Sequence, residues 1–213
     1  MHRLTASVAL ASAVAVGLTS GLPASASAHL RLRPEIYLPA PSMVSGPTDP
    51  HDPSLATDVA EARAATAKYL DNLALAKADG YSIITRMIPD MGYHFLNPAV
   101  KAFDLRKPPI LVYEHDGARW QLGALEWVFT AKPATSPLPG ATYGSFPAAC
   151  HYADGTFVPA SSQSQCATTN ATTGAKFTFW HPNLVTLHFW VWYPNSAGIY
   201  SGMNPLVAPF NAG

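Results

Sequence analysis

Prolines and glycines divide the chain beyond Gly80 into short apolar segments, and the frequency of these residues constrains the fold more than any other feature. Both residues are unfavourable inside helices, so segments of this length favour strands and ordered loops. Residues 110–114 and 121–130 predict two strands, joined as a hairpin by the turn at Asp116 and Gly117. The aromatic-rich segment 186–193 predicts another strand, and 131–177 is predicted to be mostly loop.

One stretch before Gly80 is typical of a helix. Asp58 and Glu61 have the spacing of an N-cap and its reciprocal partner, and neither proline nor glycine follows until Gly80. Apolar or small residues recur there at steps of three and four, which predicts one buried face: Val59, Ala62, Thr66, Tyr69, Leu73 and Ala76. We therefore predict an α+β fold in which one N-terminal amphipathic helix packs on an antiparallel sheet with long loops.

The first 28 residues have the order of a secretory signal peptide: a charged start at Arg3, an apolar run over 8–18 and small residues up to Ala28. The run is shorter than the roughly 20 residues that cross a bilayer, so we expect no membrane span. Residues 29–57 contain six prolines and predict an extended tether. The remaining residues, 58–213, are expected to form a single secreted, extracellular domain.

The charge balance argues against one class of partner, and the cysteine content predicts a disulfide. The chain has 13 Lys and Arg against 13 Asp and Glu, so no positive field attracts nucleic acid. Cys150 and Cys166 are the only cysteines, and in an exported protein they are expected to form a disulfide.

Polar residues inside the most apolar segments are the candidate site. Glu126 lies between Leu125 and Trp127, His188 lies in the segment LHFWVW, and His94 lies in GYHFLNP. His181 stands just before the last predicted strand. A carboxyl or imidazole buried there must be neutralised, hydrogen-bonded, ion-paired or bound to a metal, because an unpaired buried charge costs several kcal/mol.

Two or three imidazoles with one carboxylate are the ligand set of a divalent metal such as zinc or copper. We therefore predict a metal site at His94, Glu126 and His188, completed by His181 or water, and a hydrolytic enzyme would be one consequence. In the alternative, each histidine donates to a backbone carbonyl and Glu126 pairs within the core, giving a structural exported domain with a buried polar network. The other histidines considered are predicted to lie outside the site: His115 and His151 at the surface, and His51 in the tether.

Aromatic density favours a different class of function. Trp190 and Trp192 alternate in the last predicted strand, and exposed rings in secreted modules stack on sugars or hold apolar ligands. This predicts a non-catalytic module that binds a carbohydrate or a small molecule. The same alternation is also typical of strands that build a core.

Several of these segments occur in a combination that resembles a known family: GYHxxNP at 92–98, LHxWxW at 187–192, and Asn204-Pro205. The family consists of small secreted, largely uncharacterised bacterial proteins of actinobacterial type. The resemblance runs from about Val59 to Val207 and implies a compact exported domain, without an activity or ligand for the candidate residues.

Overall fold

The computed structural model describes residues 52–211; the predicted signal peptide and most of the predicted tether lie outside them. Short 3₁₀ turns occur at Ala67–Tyr69, Gln163–Gln165 and Pro205–Phe210. The helices and strands are α1 (Pro53–Thr66), α2 (Leu73–Ala78), β1 (Ser82–Ile88), β2 (Gly92–Leu96), β3 (Ile110–His115), β4 (Trp120–Phe129), β5 (Gly144–Phe146), β6 (Ala149–Tyr152), β7 (Phe157–Pro159), β8 (Phe177–His181) and β9 (Leu184–Phe189).

The strands form two antiparallel sheets in an α+β fold, which confirms the fold class at this level. The larger sheet is curled and has six strands in the order β1-β2-β3-β4-β9-β5. The smaller has three strands in the order β7-β6-β8. Only Pro182 and Asn183 join β8 to β9, so the chain passes directly from the smaller sheet to the larger one. The predicted hairpin is present as β3 and β4.

The first helix begins earlier than predicted. The side chain of Asp52 accepts a hydrogen bond from the Ser54 N–H, and Pro53 occupies the first turn, where its missing N–H is not needed. Asp58 therefore lies inside α1 and is not the N-cap, and the last residues of the predicted tether are helical.

The predicted continuous helix is also interrupted between Thr66 and Leu73. The Leu70 carbonyl there accepts a hydrogen bond from the Leu122 N–H of β4, which ties this turn to the sheet. Asn72 then restarts the helix, because its side chain accepts from the Leu75 N–H.

Side chains of the larger sheet alternate between two faces. On one face Leu125, Trp127 and Leu187 pack with Leu55 and Ala62 of α1 in the main core. The opposite face carries a smaller apolar cluster and faces the smaller sheet across a cavity. The helices therefore cover one face, and the other is available for a site.

A β-bulge interrupts the alternation of side chains along β4. Strict alternation would place Leu122 and Ala124 on one face, but Ala124 pairs with Val112 while Leu122 pairs with Tyr113, so Gly123 is an extra residue. An extra residue reverses the facing of the positions beyond it. Leu122 therefore joins the helix-side core, and Ala124 joins the opposite cluster.

One predicted strand is shorter than expected. The last long strand ends at Phe189 and not at Tyr193, because the Trp190 N–H donates to the Ile199 carbonyl and the Trp192 N–H donates to the Gly123 carbonyl, outside the paired residues of β4 and β9. The segment 131–177 is mostly loop, as predicted, and it also contains the short strands β5, β6 and β7.

The expected disulfide is present between Cys150 of β6 and Cys166, with Cα atoms 5.6 Å apart. The bridge fits an extracellular protein, because disulfides persist in oxidising compartments. Within residues 52–211, the helices are all too short or too polar to cross a membrane.

Candidate metal centre

Three strands of the larger sheet supply the candidate ligands. Glu126 of β4 lies directly opposite His188 of β9, whereas His94 lies on β2, with β3 between β2 and β4. Neighbouring strands are about 4.8 Å apart, so a flat sheet would leave His94 far from Glu126. The sheet is curled, and the three side chains converge.

His94, Glu126 and His188 meet as the sequence predicts. Each offers one ligand atom, and these atoms lie within 4.8 Å of one another. Nε2 of His94 is 3.5 Å from Oε2 of Glu126, and Nε2 of His188 is 3.7 Å from Oε1 of the same carboxyl. All three residues are buried. The group could hold a metal ion.

The separations suit a shared ion better than direct hydrogen bonds. An N–H···O bond has its usual length near 2.9–3.0 Å, whereas two ligands of a tetrahedral metal with bonds of about 2.0–2.1 Å lie about 3.3 Å apart. Nε2 of His188 is fully buried and has no hydrogen-bond partner among the described residues. Buried side-chain nitrogens are usually paired, so this atom requires an explanation.

Burial sets the protonation states of the group. It raises the pKa of Glu126 to about 8 and lowers the pKa of His188 to about 4. It also lowers the pKa of His94 to about 3, with a further contribution from His188. Near neutral pH the imidazoles are therefore neutral and the carboxyl is largely protonated, so no ion pair compensates the burial. A divalent cation would favour the carboxylate and two neutral nitrogens together.

Thr85 of β1 orients one of the candidate ligands. Its Oγ1 lies 2.7 Å from Nδ1 of His94 and accepts a hydrogen bond from the His94 backbone N–H at 3.2 Å. Metal-binding histidines typically hydrogen-bond through the nitrogen that does not face the metal. Sequence reasoning missed Thr85, because a threonine in an apolar strand is ordinary and carries no signal of its own.

A cavity of about 220 Å³ adjoins the three residues, and both sheets line it. Little of the exposed wall surface is polar, although eight lining residues have polar side chains: Thr85, His94, Glu126, Ser145, His151, His181, Thr186 and His188. The rest of the wall is mainly aliphatic or aromatic, including Ile84, Ile88, Leu96, Val128, Phe179 and Leu184. The cavity therefore suits a small, mostly apolar molecule beside the candidate centre.

The structure places His181 outside this group. Its Nε2 lies 3.0 Å from Nε2 of His151, across the smaller sheet from β8 to β6. The prediction that His151 is a surface residue is wrong, because it is 1% exposed. Its position beside Cys150, in a short run of apolar residues, was the available signal. His115 is partly exposed and stacks on Trp120, and His51 lies outside the described residues.

Trp190 and Trp192 pack within the domain. Trp190 is 3% exposed, and its indole N–H donates to the Ser201 carbonyl. Trp192 is half-buried and its indole N–H donates to Oγ1 of Thr66 in α1. Trp190 therefore offers no open ring face for stacking on a sugar.

No family model, curated protein or solved structure matches the chain. The resemblance to small secreted actinobacterial proteins therefore stays a prediction. Function has to be argued from the geometry of the site.

Proposed function

We propose that the protein is an exported metal-binding protein in which His94, Glu126 and His188 hold one divalent transition ion. The main support is the buried Nε2 of His188, which has no hydrogen-bond partner within residues 52–211 and lies 3.7 Å from a carboxyl oxygen. Two neutral nitrogens and one carboxylate suit borderline ions, and zinc and copper are the expected ones. The alternative of a self-satisfied polar network is disfavoured, because the histidine–carboxyl separations are longer than good hydrogen bonds.

Three protein ligands leave at least one coordination position for water or a ligand. A metal bound in this way lowers the pKa of its water and polarises carbonyl groups, which is the chemistry of hydrolytic metal enzymes. The residues of the chain would supply the rest of the site. Thr85 orients the His94 ring, and the apolar cavity wall excludes bulk water from the open side.

Metal analysis of the purified full-length protein tests the proposal. We expect one tightly bound equivalent in the wild type, and loss of that equivalent in His188→Ala and Glu126→Gln. The matched control is His115→Ala, which removes a partly exposed histidine and should leave the tightly bound metal unchanged. A wild-type protein that binds neither zinc nor copper after dialysis against micromolar metal would refute the proposed function.

The cavity favours a small, largely apolar ligand over a carbohydrate, since little polar surface is exposed on this wall to pair with the hydroxyl groups of a sugar. We therefore propose that the ligand bears one coordinating group on an apolar body. Straight-chain carboxylates from acetate to hexanoate, titrated into zinc-loaded protein, provide a graded probe. Each added methylene should tighten binding about fourfold, because burying one contributes about 0.8 kcal/mol. Affinities independent of chain length would exclude an apolar ligand site.

A further inference from the structure

The second histidine pair, His151 and His181, has an unusual arrangement of hydrogen bonds. Nδ1 of His151 lies 2.7 Å from the Ile84 carbonyl oxygen, and Nδ1 of His181 lies 2.6 Å from the Pro182 carbonyl oxygen. A carbonyl oxygen only accepts, so each Nδ1 must carry the hydrogen. In both neutral rings Nε2 is therefore the atom with the free lone pair.

These two lone-pair atoms lie close together, since the Nε2 atoms are only 3.0 Å apart. Two acceptors at this distance repel unless both bind the same cation. A hydrogen bond between the rings would need an extra proton, which would turn one imidazole into a buried cation. Burial opposes that, because both rings are buried and an uncompensated buried charge is costly. No carboxylate accompanies this pair in the cavity wall other than Glu126 of the first centre, among the described residues.

The surroundings fix both rings in this orientation. His151 stacks on Phe179 with centroids 4.6 Å apart and planes 3° apart, and His181 stacks on Phe146 at 5.3 Å. Both histidines are more than nine-tenths buried and line the same cavity as the first centre. Rings held by stacking and by Nδ1–H bonds to carbonyls have the outer-shell contacts that are typical of metal-binding histidines.

We infer that Nε2 of His151 and Nε2 of His181 form a second metal site, separate from the His94–Glu126–His188 centre. With metal–nitrogen bonds of about 2.0–2.1 Å, a separation of 3.0 Å corresponds to a nitrogen–metal–nitrogen angle of about 95°. An angle near 90° is typical of two adjacent ligands of a tetragonal ion such as Cu²⁺ or Ni²⁺, and of these two Cu²⁺ binds nitrogen ligands more strongly. The remaining positions would be filled from the cavity.

A site with two protein ligands should bind more weakly than the centre with three. The cavity would then present two ions to one bound molecule, which suits a ligand with coordinating groups at both ends of an apolar body. This inference does not depend on the proposed function, because the two sites share no ligand.

Titration of the full-length protein with Cu²⁺, with glycine present to compete for weak surface sites, tests the inference. We expect two equivalents in the wild type, the second weaker than the first, and an electron paramagnetic resonance signal with nitrogen coupling for each. His151→Phe keeps an aromatic ring against Phe179 and should abolish only the weaker equivalent. His188→Ala should abolish only the tighter one, and His115→Ala should change neither.

His181→Asn provides a second test, with circular dichroism to establish folding, if His151→Phe does not fold. A single equivalent that is lost in His188→Ala and kept in both His151→Phe and His181→Asn would overturn the second site while supporting the first. A single equivalent that is kept in His188→Ala and lost in both His151→Phe and His181→Asn would support the second site alone. An Nε2-bound proton shared by the two rings at neutral pH, seen by nitrogen NMR in metal-free protein that takes up no second Cu²⁺, would also overturn the inference.

Discussion

Glu114 of β3 is a buried carboxyl outside both metal centres, and its ionisation should make folding stability depend on pH. The residue is 1% exposed, and neither carboxyl oxygen has a hydrogen-bond partner among the described residues. Burial raises its pKa from 4.5 to about 7. One pKa unit corresponds to about 1.36 kcal/mol, so this rise corresponds to about 3 kcal/mol.

The direction follows from which state holds the proton. Below pH 4.5 the carboxyl is protonated in both states, so it adds no pH dependence. Between pH 4.5 and about 7 the unfolded chain has lost the proton while the folded protein keeps it, so stability falls as pH rises. Above about pH 7 both states are ionised, and the folded protein contains an uncompensated buried charge.

Glu114→Gln removes this dependence, because an amide of nearly the same shape does not ionise. The free energy of unfolding is measured by urea denaturation from pH 5 to pH 8 with a chelator present. Other buried groups titrate as well, so the informative quantity is the difference between variant and wild type. We expect that difference to move by about 2.5 kcal/mol in favour of the variant between pH 5 and pH 8, since part of the effect already develops below pH 5.

The matched control is Glu61→Gln, since this carboxylate is partly exposed and pairs with Arg106 at the surface. Its difference from wild type should stay within about 0.5 kcal/mol. If Glu114→Gln gives a constant difference across the range, the side chain has an ordinary pKa and the reasoning from burial is refuted.

Three further predictions concern the framework. Leu187→Ala should lower the free energy of unfolding by about 2–5 kcal/mol in urea denaturation, because the side chain is fully buried in the helix-side core; a loss below 1 kcal/mol would contradict that packing. Reduction of the disulfide should cost about 3 kcal/mol by the loop-entropy estimate, measured as a lower melting temperature, and no change would contradict it. Gly92→Ala should destabilise more than Gly174→Ala, since both have positive φ but only at Gly92 would the new Cβ lie 2.7 Å from the Tyr113 carbonyl oxygen; equal losses would contradict that contact.

Local sequence patterns were sufficient to predict several elements. The hairpin of β3 and β4 follows from two apolar segments around an Asp-Gly turn, because turn chemistry and strand length act over a few residues. The disulfide follows from two cysteines in a chain that is predicted to be exported. Glu126 and His188 could be singled out because their apolar neighbours require burial, and burial requires a partner.

The residues that cap the helices could not be chosen from local sequence alone. Asn72 and Asp52 begin helices through side-chain caps, but several residues in this segment could have served as caps equally well. Which cap is used depends on the contact between the Leu70 carbonyl and β4, a pairing between residues far apart in the chain. The bulge at Gly123 likewise depends on how β4 pairs with β3.

The sequence alone determined which residue types had to find partners; the tertiary structure decided which partners they found. His94 reaches Glu126 only because the sheet curls across an intervening strand, and a curl is a property of many residues together. His181 meets His151 and not the first centre because β8 pairs with β6 in the smaller sheet before the chain crosses to β9. Register and curvature depend on long-range pairing, which short-range sequence patterns do not encode.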